Sequence, residues 1–203
     1  MLRCAVAKPR FANQRELDET GGESWIRHYT HGAPYNIPMA KNIYSKDVLL
    51  DIHSRTHVSI RKLLKHCAEL TDKQLYKKHK GFGHPTVHSQ LFHILVAEYY
   101  WVKVAQGIVD VNINPKDFPA VKDYQTYHRK NIKATAEYIK KTSVTELNTP
   151  QMLKTYRSRK KLVPAHLILR VTTHAFQHQG QILAMCRLMD HPSPPGMDIT
   201  LKP

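Results

Sequence analysis

Pro164-Ala-His-Leu-Ile-Leu-Arg170-Val-Thr-Thr-His174-Ala-Phe-Gln-His178-Gln-Gly-Gln181-Ile-Leu-Ala-Met185 reads as one long amphipathic helix, and this reading decides the fold class. A proline is tolerated in a helix's first turn, where its missing N–H has no partner to lose, so Pro164 marks the start. Turning 100° per residue places Val163, Leu167, Val171, His174, His178, Gln181, Met185 and Leu188 in one stripe. A strand would alternate every second residue, and this segment does not. The helix is expected to run to about Met189, where His191-Pro-Ser-Pro-Pro-Gly196 stops it.

The same period recurs upstream. Leu49, Ile52, Thr56, Ile60, Leu63, Cys67 and Leu70 give a first helix over about 46–70, and Thr71-Asp-Lys-Gln74 is a capping box opening a short turn. Gly81-Phe-Gly-His-Pro85 reads as a loop, with Pro85 in the first turn of a second helix over roughly 86–107. Asn112-Ile-Asn-Pro115 is a breaker, and a third helix follows over about 120–142 on Val121, Tyr124, His128, Ile132, Thr135 and Ile139. A polar, basic stretch with Pro150 leads to the fourth helix. Four helices of this length with few strand signals predict an all-α, up-down four-helix bundle over 46–203. Residues 1–45 lack sustained periodicity and contain Pro9, Gly21-Gly22, Pro34 and Pro38. They read as an irregular N-terminal arm anchored by Trp25, Tyr29, Tyr35 and Ile37.

Composition narrows the classes. A chain of 203 residues supports one domain with an appended arm. No apolar run approaches the roughly 18–20 residues of a membrane span, so no membrane partner is expected. Cys4, Cys67 and Cys186 are odd in number and lack metal spacing, which favours a reduced cytoplasmic setting. Of the net charge of +15, residues 1–45 supply only +2. The remainder concentrates at Lys73-Lys77-Lys78-Lys80, at Arg129-Lys130-Lys133 and at Arg157-Ser-Arg-Lys-Lys161, a surface that attracts anions. A non-enzymatic protein that binds nucleic acid through this surface is the alternative class. The basic runs lack interleaved aromatics apart from Tyr76 and Tyr156, and no nucleic-acid motif accompanies them.

Histidine placement carries the chemistry. With 14 histidines in 203 residues, chance alone gives about one pair at i,i+4. The chain has three, His53/His57, His84/His88 and His174/His178, so spacing cannot choose among them and the face must. His174 and His178 lie in the stripe of the fourth helix. His93 lies in the second-helix stripe that also holds Thr86, Ala97, Tyr100 and Val104. His53 and His57 fall on a flank of the first helix. A single histidine on an apolar face is ordinarily a hydrogen-bonded core residue. Three that converge without acidic partners are hard to satisfy that way, and one divalent metal satisfies all three. Glu98 sits about 140° around the second helix from His93 and is expected to face elsewhere. His174-Ala-Phe-Gln-His178 lacks the glutamate of H-E-x-x-H, so no such base adjoins the ligands. Cys186, about 80° from His178, reads as a small buried hydrophobe rather than a ligand.

Leu91-Phe-His93-Ile-Leu-Val-Ala-Glu98-Tyr-Tyr-Trp101 and His174-Ala-Phe-Gln-His178-Gln-Gly180-Gln181-Ile182 resemble the second- and fourth-helix motifs of the DinB/YfiT-like family of metal-binding four-helix bundles. Gly81-Phe-Gly and the proline-rich end with Asp198 match in place. The resemblance covers residues 46–201 and implies that His93, His174 and His178 are metal ligands. Gln179 departs from the basic residue or histidine that the family often places before Gly-Gln. The resemblance further implies low-molecular-weight thiols, since characterised relatives include transferases and isomerases that use bacillithiol, mycothiol or glutathione.

The expected function is therefore that of an enzyme with one divalent ion (Zn, Ni or Fe) on His93, His174 and His178 and an open ligand position. Three neutral imidazoles leave such an ion positive, so a bound water or thiol would acidify. Transfer of a small thiol to an electrophile and hydrolysis of a small-molecule substrate fit equally, and a homodimer is left open.

Overall fold

The computed structural model describes residues 43–201; the expected arm anchors Trp25, Tyr29, Tyr35 and Ile37 lie outside the described residues. Helix α1 spans Lys46–Cys67, and its N-cap Ser45 accepts from the Val48 N–H at 3.2 Å. Just before it, Tyr44 exchanges two backbone hydrogen bonds with the Asn148 side chain, at 2.9 and 3.0 Å. Helix α2, Asp72–Leu75, opens on the expected Thr71/Gln74 capping box. Helix α3, Val87–Ala105, is capped by Thr86, whose hydroxyl accepts from the Ser89 N–H. Pro85 thus precedes the cap instead of occupying the first turn.

Helix α3 ends at Gly107, which takes φ +79°. Its N–H donates to Val104 O at 2.9 Å and the Ile108 N–H to Lys103 O at 2.8 Å. This paired closure needs a left-handed residue after the cap, and glycine adopts that conformation without a Cβ clash. Helix α4 spans Val121–Lys141, and a short α5 covers Val144–Asn148. The last helix, α6, runs Pro164–Arg187 with Pro164 in its first turn, as its sequence requires.

One element was not legible in the sequence. Gln151–Lys154 (β1) and Arg159–Leu162 (β2) pair antiparallel, with Gln151 opposite Leu162 and Lys154 opposite Arg159. Leu153 is buried and Tyr156 is exposed in the connecting turn. The Tyr156 N–H donates to the Tyr100 hydroxyl of α3 at 3.0 Å, which fastens the hairpin to the helical body. Each strand is only four residues long, and three of the four residues of β2 are basic, so no alternation announces the pair.

The described part of the chain is mostly helical. Helix α3 packs on α6 and α4, while α1 packs on α4 and α6. Two apolar clusters fill the space between them. One is built on Leu63, Leu91, Leu95, Tyr124, Ile182 and Met185, the other on Leu49, Ile139, Leu147 and Ile168. Each fully buried side chain of this kind contributes about 1.5–3 kcal/mol relative to exposure. Among the described residues, no helix is long and apolar enough to cross a membrane.

The helix faces need two corrections. Leu188, placed in the α6 stripe, is 65% exposed, because α6 ends at Arg187 and the 100° projection stops with it. His53 and His57, placed on a flank of α1, are 3% and 5% exposed. Two neighbouring helices, α4 and α6, cover α1, so its buried face is wider than one stripe.

Candidate metal centre

Helices α3 and α6 bring His93, His174 and His178 together. His174 Nε2 lies 3.0 Å from His93 Nε2 and 3.1 Å from His178 Nε2. The three make one of the groups whose ligand atoms lie close enough to share an ion. His178 is buried, and His93 and His174 are half-buried. Leu167, Val171 and Met185 of the α6 stripe are buried, and at His174 the stripe opens onto a cleft. Val96, Tyr100, Trp101, Tyr156 and Arg170 complete its wall around a volume of about 420 Å³.

The tautomer of His178 follows from its neighbours. Gln90 is fully buried on α3, and its amide nitrogen donates to His84 O and to Gln181 Oε1, each at 2.7 Å. Its Oε1 must then be the acceptor that faces His178 Nδ1. With Nδ1 carrying the proton, His178 Nε2 presents a lone pair toward His174 and His93. One shared N–H can satisfy at most one of the two contacts at His174 Nε2, whereas an ion accepts all three lone pairs. Outer partners that fix ligand tautomers in this way are characteristic of metal centres.

Electrostatics favours the ligand form. Burial first, then the neighbouring histidines, pushes His93 down to about 3 from its ordinary 6.5. Burial followed by His174 and His84 takes His178 down to about 4. His174 is lowered by burial, by Arg170 and by His84. The imidazoles are thus neutral near pH 7, with lone pairs available. His84, from the loop before α3, stacks on His93 with ring centroids 4.0 Å apart.

Other candidates separate from this centre. Glu98 turns away as its helical angle requires, and it binds His53, His57 and Thr135 between α1 and α4. Cys186 is fully buried against Cys67 in the core. Gln181, placed in the α6 stripe, supports the centre through Gln90. Gln90 itself escaped the sequence reading. Its signal was a lone amide in the buried stripe Val87, Gln90, Leu91 and Ile94, where a polar group demands partners.

A three-histidine centre at the edge of a cleft, held between long helices, defines a class of helical proteins with a candidate metal site. The family comparison specifies the class: the DinB family model matches residues 52–203, and the chain belongs to the DinB family. A comparison with curated proteins gives no match.

Two consequences are measurable. Gln90→Leu should weaken metal binding by about 10- to 100-fold, the usual cost of losing an outer partner. Competition against a chromophoric chelator reads this, and an unchanged affinity would contradict the role given to Gln90. The second concerns acid. His128 is 1% exposed on α4 and is held near 3, chiefly by burial and then by His57. Between pH 6.5 and that value the unfolded chain binds a proton that the folded chain refuses. The stabilisation is complete above pH 6.5 and falls by about 1.4 kcal/mol per pH unit below it. Urea denaturation of the chelated protein should therefore give lower stability at pH 5 than at pH 7.5. Equal values would count against a buried neutral His128.

Proposed function

We propose that the chain is a metal-dependent enzyme with one divalent ion (Zn, Ni or Fe) on His93, His174 and His178, acting on a small molecule in the adjoining cleft. The observation that carries this reading is the convergence of three Nε2 atoms at the cleft edge, with the His178 lone pair fixed by Gln90. We read the four long helices as the up-down bundle of the family, residues 46–203 as its metal-binding domain, 1–45 as an irregular N-terminal arm, and the cytoplasm as its location.

The residues present fit an ion of this kind: three neutral nitrogen donors, with an open side toward the cleft. When bound, the ion supplies Lewis-acid chemistry, lowering the pKa of a thiol or water so that a nucleophile exists near neutral pH. The protein's own groups do the rest. Gln90 orients His178, and α3 and α6 fix the ligand spacing. Trp101, Tyr100 and Val96 form an apolar wall that holds the substrate body and limits water. Arg170, over the Trp101 ring at 5.2 Å, is the cation of this wall. Together they suit a substrate with a flat or apolar body and one anionic group. The exposed basic hairpin beside Tyr156 favours the approach of an anionic low-molecular-weight thiol.

Thiol transfer to an electrophile is the first reaction we assign, with hydrolysis as the other use of the same centre. An electrophile panel, with and without bacillithiol or glutathione, separates them: transfer requires the thiol and hydrolysis does not. Turnover that survives both chelation and His93→Ala would sink the metal-dependent reading in either form. Arg170→Ala should raise KM for anionic substrates by about 10- to 100-fold, the worth of one charge-assisted hydrogen bond, and leave kcat nearly unchanged. An unaltered KM would remove Arg170 from the substrate site.

A further inference from the structure

A second polar cluster lies in the core, on the opposite side of α3. His53 and His57, one turn apart on α1, both point their Nε2 atoms at Glu98 Oε1, at 3.2 and 3.0 Å. All three residues are at most 5% exposed. Their outer faces are braced: His57 Nδ1 meets His128 Nε2 at 2.8 Å, and the Thr135 hydroxyl donates to Glu98 Oε1 at 2.8 Å. Asn131 donates to Leu95 O at 2.8 Å and reaches Glu98 Oε2 at 3.4 Å.

A buried carboxylate normally spreads its acceptor sites among its donors. Here three donors crowd Oε1, Oε2 keeps one long contact, and the buried Oδ1 of Asn131 has no partner. Hydrogen bonding alone gives an uneven result. The crowding has a geometric reading: two nitrogens and one oxygen lie close enough to one another to share an ion. Donor atoms about 2.1 Å from a tetrahedral ion lie about 3.4 Å from one another, close to the spacings seen. A small enclosed cavity adjoins the cluster, lined by His53, His57, Glu98, Ile60, Val171 and Ala175. It offers room for about one water as a further ligand.

We propose that His53, His57 and Glu98 form a second divalent-metal site inside the core, independent of the His93, His174 and His178 centre. Two imidazoles and one carboxylate suit Fe(II), Mn, Co or Zn, a harder preference than three imidazoles alone. With an ion seated, both Nε2 atoms present lone pairs, and His57 Nδ1–H donates to His128. The enclosure leaves no cleft for a substrate, so the ion's work is structural: it ties α1 to α3, and α4 braces both.

The test is a count on the full chain. Apoprotein is equilibrated with Co(II) until its content is constant, and also refolded in excess Co(II), then assayed for cobalt per chain. Two equivalents are expected. His93→Ala/His174→Ala/His178→Ala should keep one, and Glu98→Gln added to it should lose that one. One equivalent in the unmodified chain that the triple variant loses overturns the second site. So does a folded Glu98→Gln variant that still binds two. If Glu98→Gln does not fold, the cobalt anomalous difference map of the unmodified chain decides, by a peak or none between His53, His57 and Glu98. Failure of the three-histidine centre is distinguishable, since the triple variant would then lose no cobalt.

Discussion

His174→Ala, and equally His178→Ala, is expected to release one equivalent of divalent metal from a protein that stays folded. Removing an outer partner costs about 10- to 100-fold in affinity, and removing a ligand nitrogen costs more, because a two-nitrogen remnant cannot complete the coordination. His174 is half-buried at a cleft wall, so its truncation leaves little core void. Elemental analysis of untagged protein, paired with circular dichroism, reads both quantities. His53→Ala is the control: it leaves the ion on His93, His174 and His178 in place, because His53 faces Glu98 on the other side of α3. Full retention of metal in His174→Ala would show that the ion sits elsewhere.

Glu98→Ala should cost the chelated protein about 3–5 kcal/mol, the usual price of breaking a buried hydrogen-bonded charge cluster by removing one member. Glu98 is 5% exposed; burial pushes its carboxyl up, but His57 with His53 outweighs this and holds it below the ordinary carboxylate range. Without it, two imidazole N–H groups and the Thr135 hydroxyl lose their acceptor in a dry core. The melting temperature should fall by roughly 10 °C for a chain of this size. A loss under about 1 kcal/mol would mean that water or rearrangement satisfies those donors.

The three-histidine cluster was legible because its members obey helical arithmetic. His174 and His178 are one turn apart, and His93 lies on a helix whose end near Gly107 is marked in the sequence, although its start was read at Pro85 and not after the Thr86 cap. What periodicity cannot carry is which helix faces which. The Glu98 cluster draws its members from α1, α3 and α4, so no single helix's pattern showed them together. His53 and His57 were placed on a flank for the same reason, since a stripe centred by apolar residues underestimates a helix covered on two sides. The cleft residues Arg170, Trp101 and Tyr156 were hidden differently. Arg170 meets Trp101 because α6 packs on α3, and Tyr156 joins them because a short hairpin, without alternation, folds back onto Tyr100.

The central claim is that one ion sits between helices α3 and α6, and an anomalous difference map from a zinc-loaded crystal at the zinc edge tests it most directly. The account predicts a peak about 2.0–2.1 Å from Nε2 of each of His93, His174 and His178, with a further ligand on the cleft side. No peak there in a protein with these helices intact, or a peak bound by fewer than all three histidines, would contradict it.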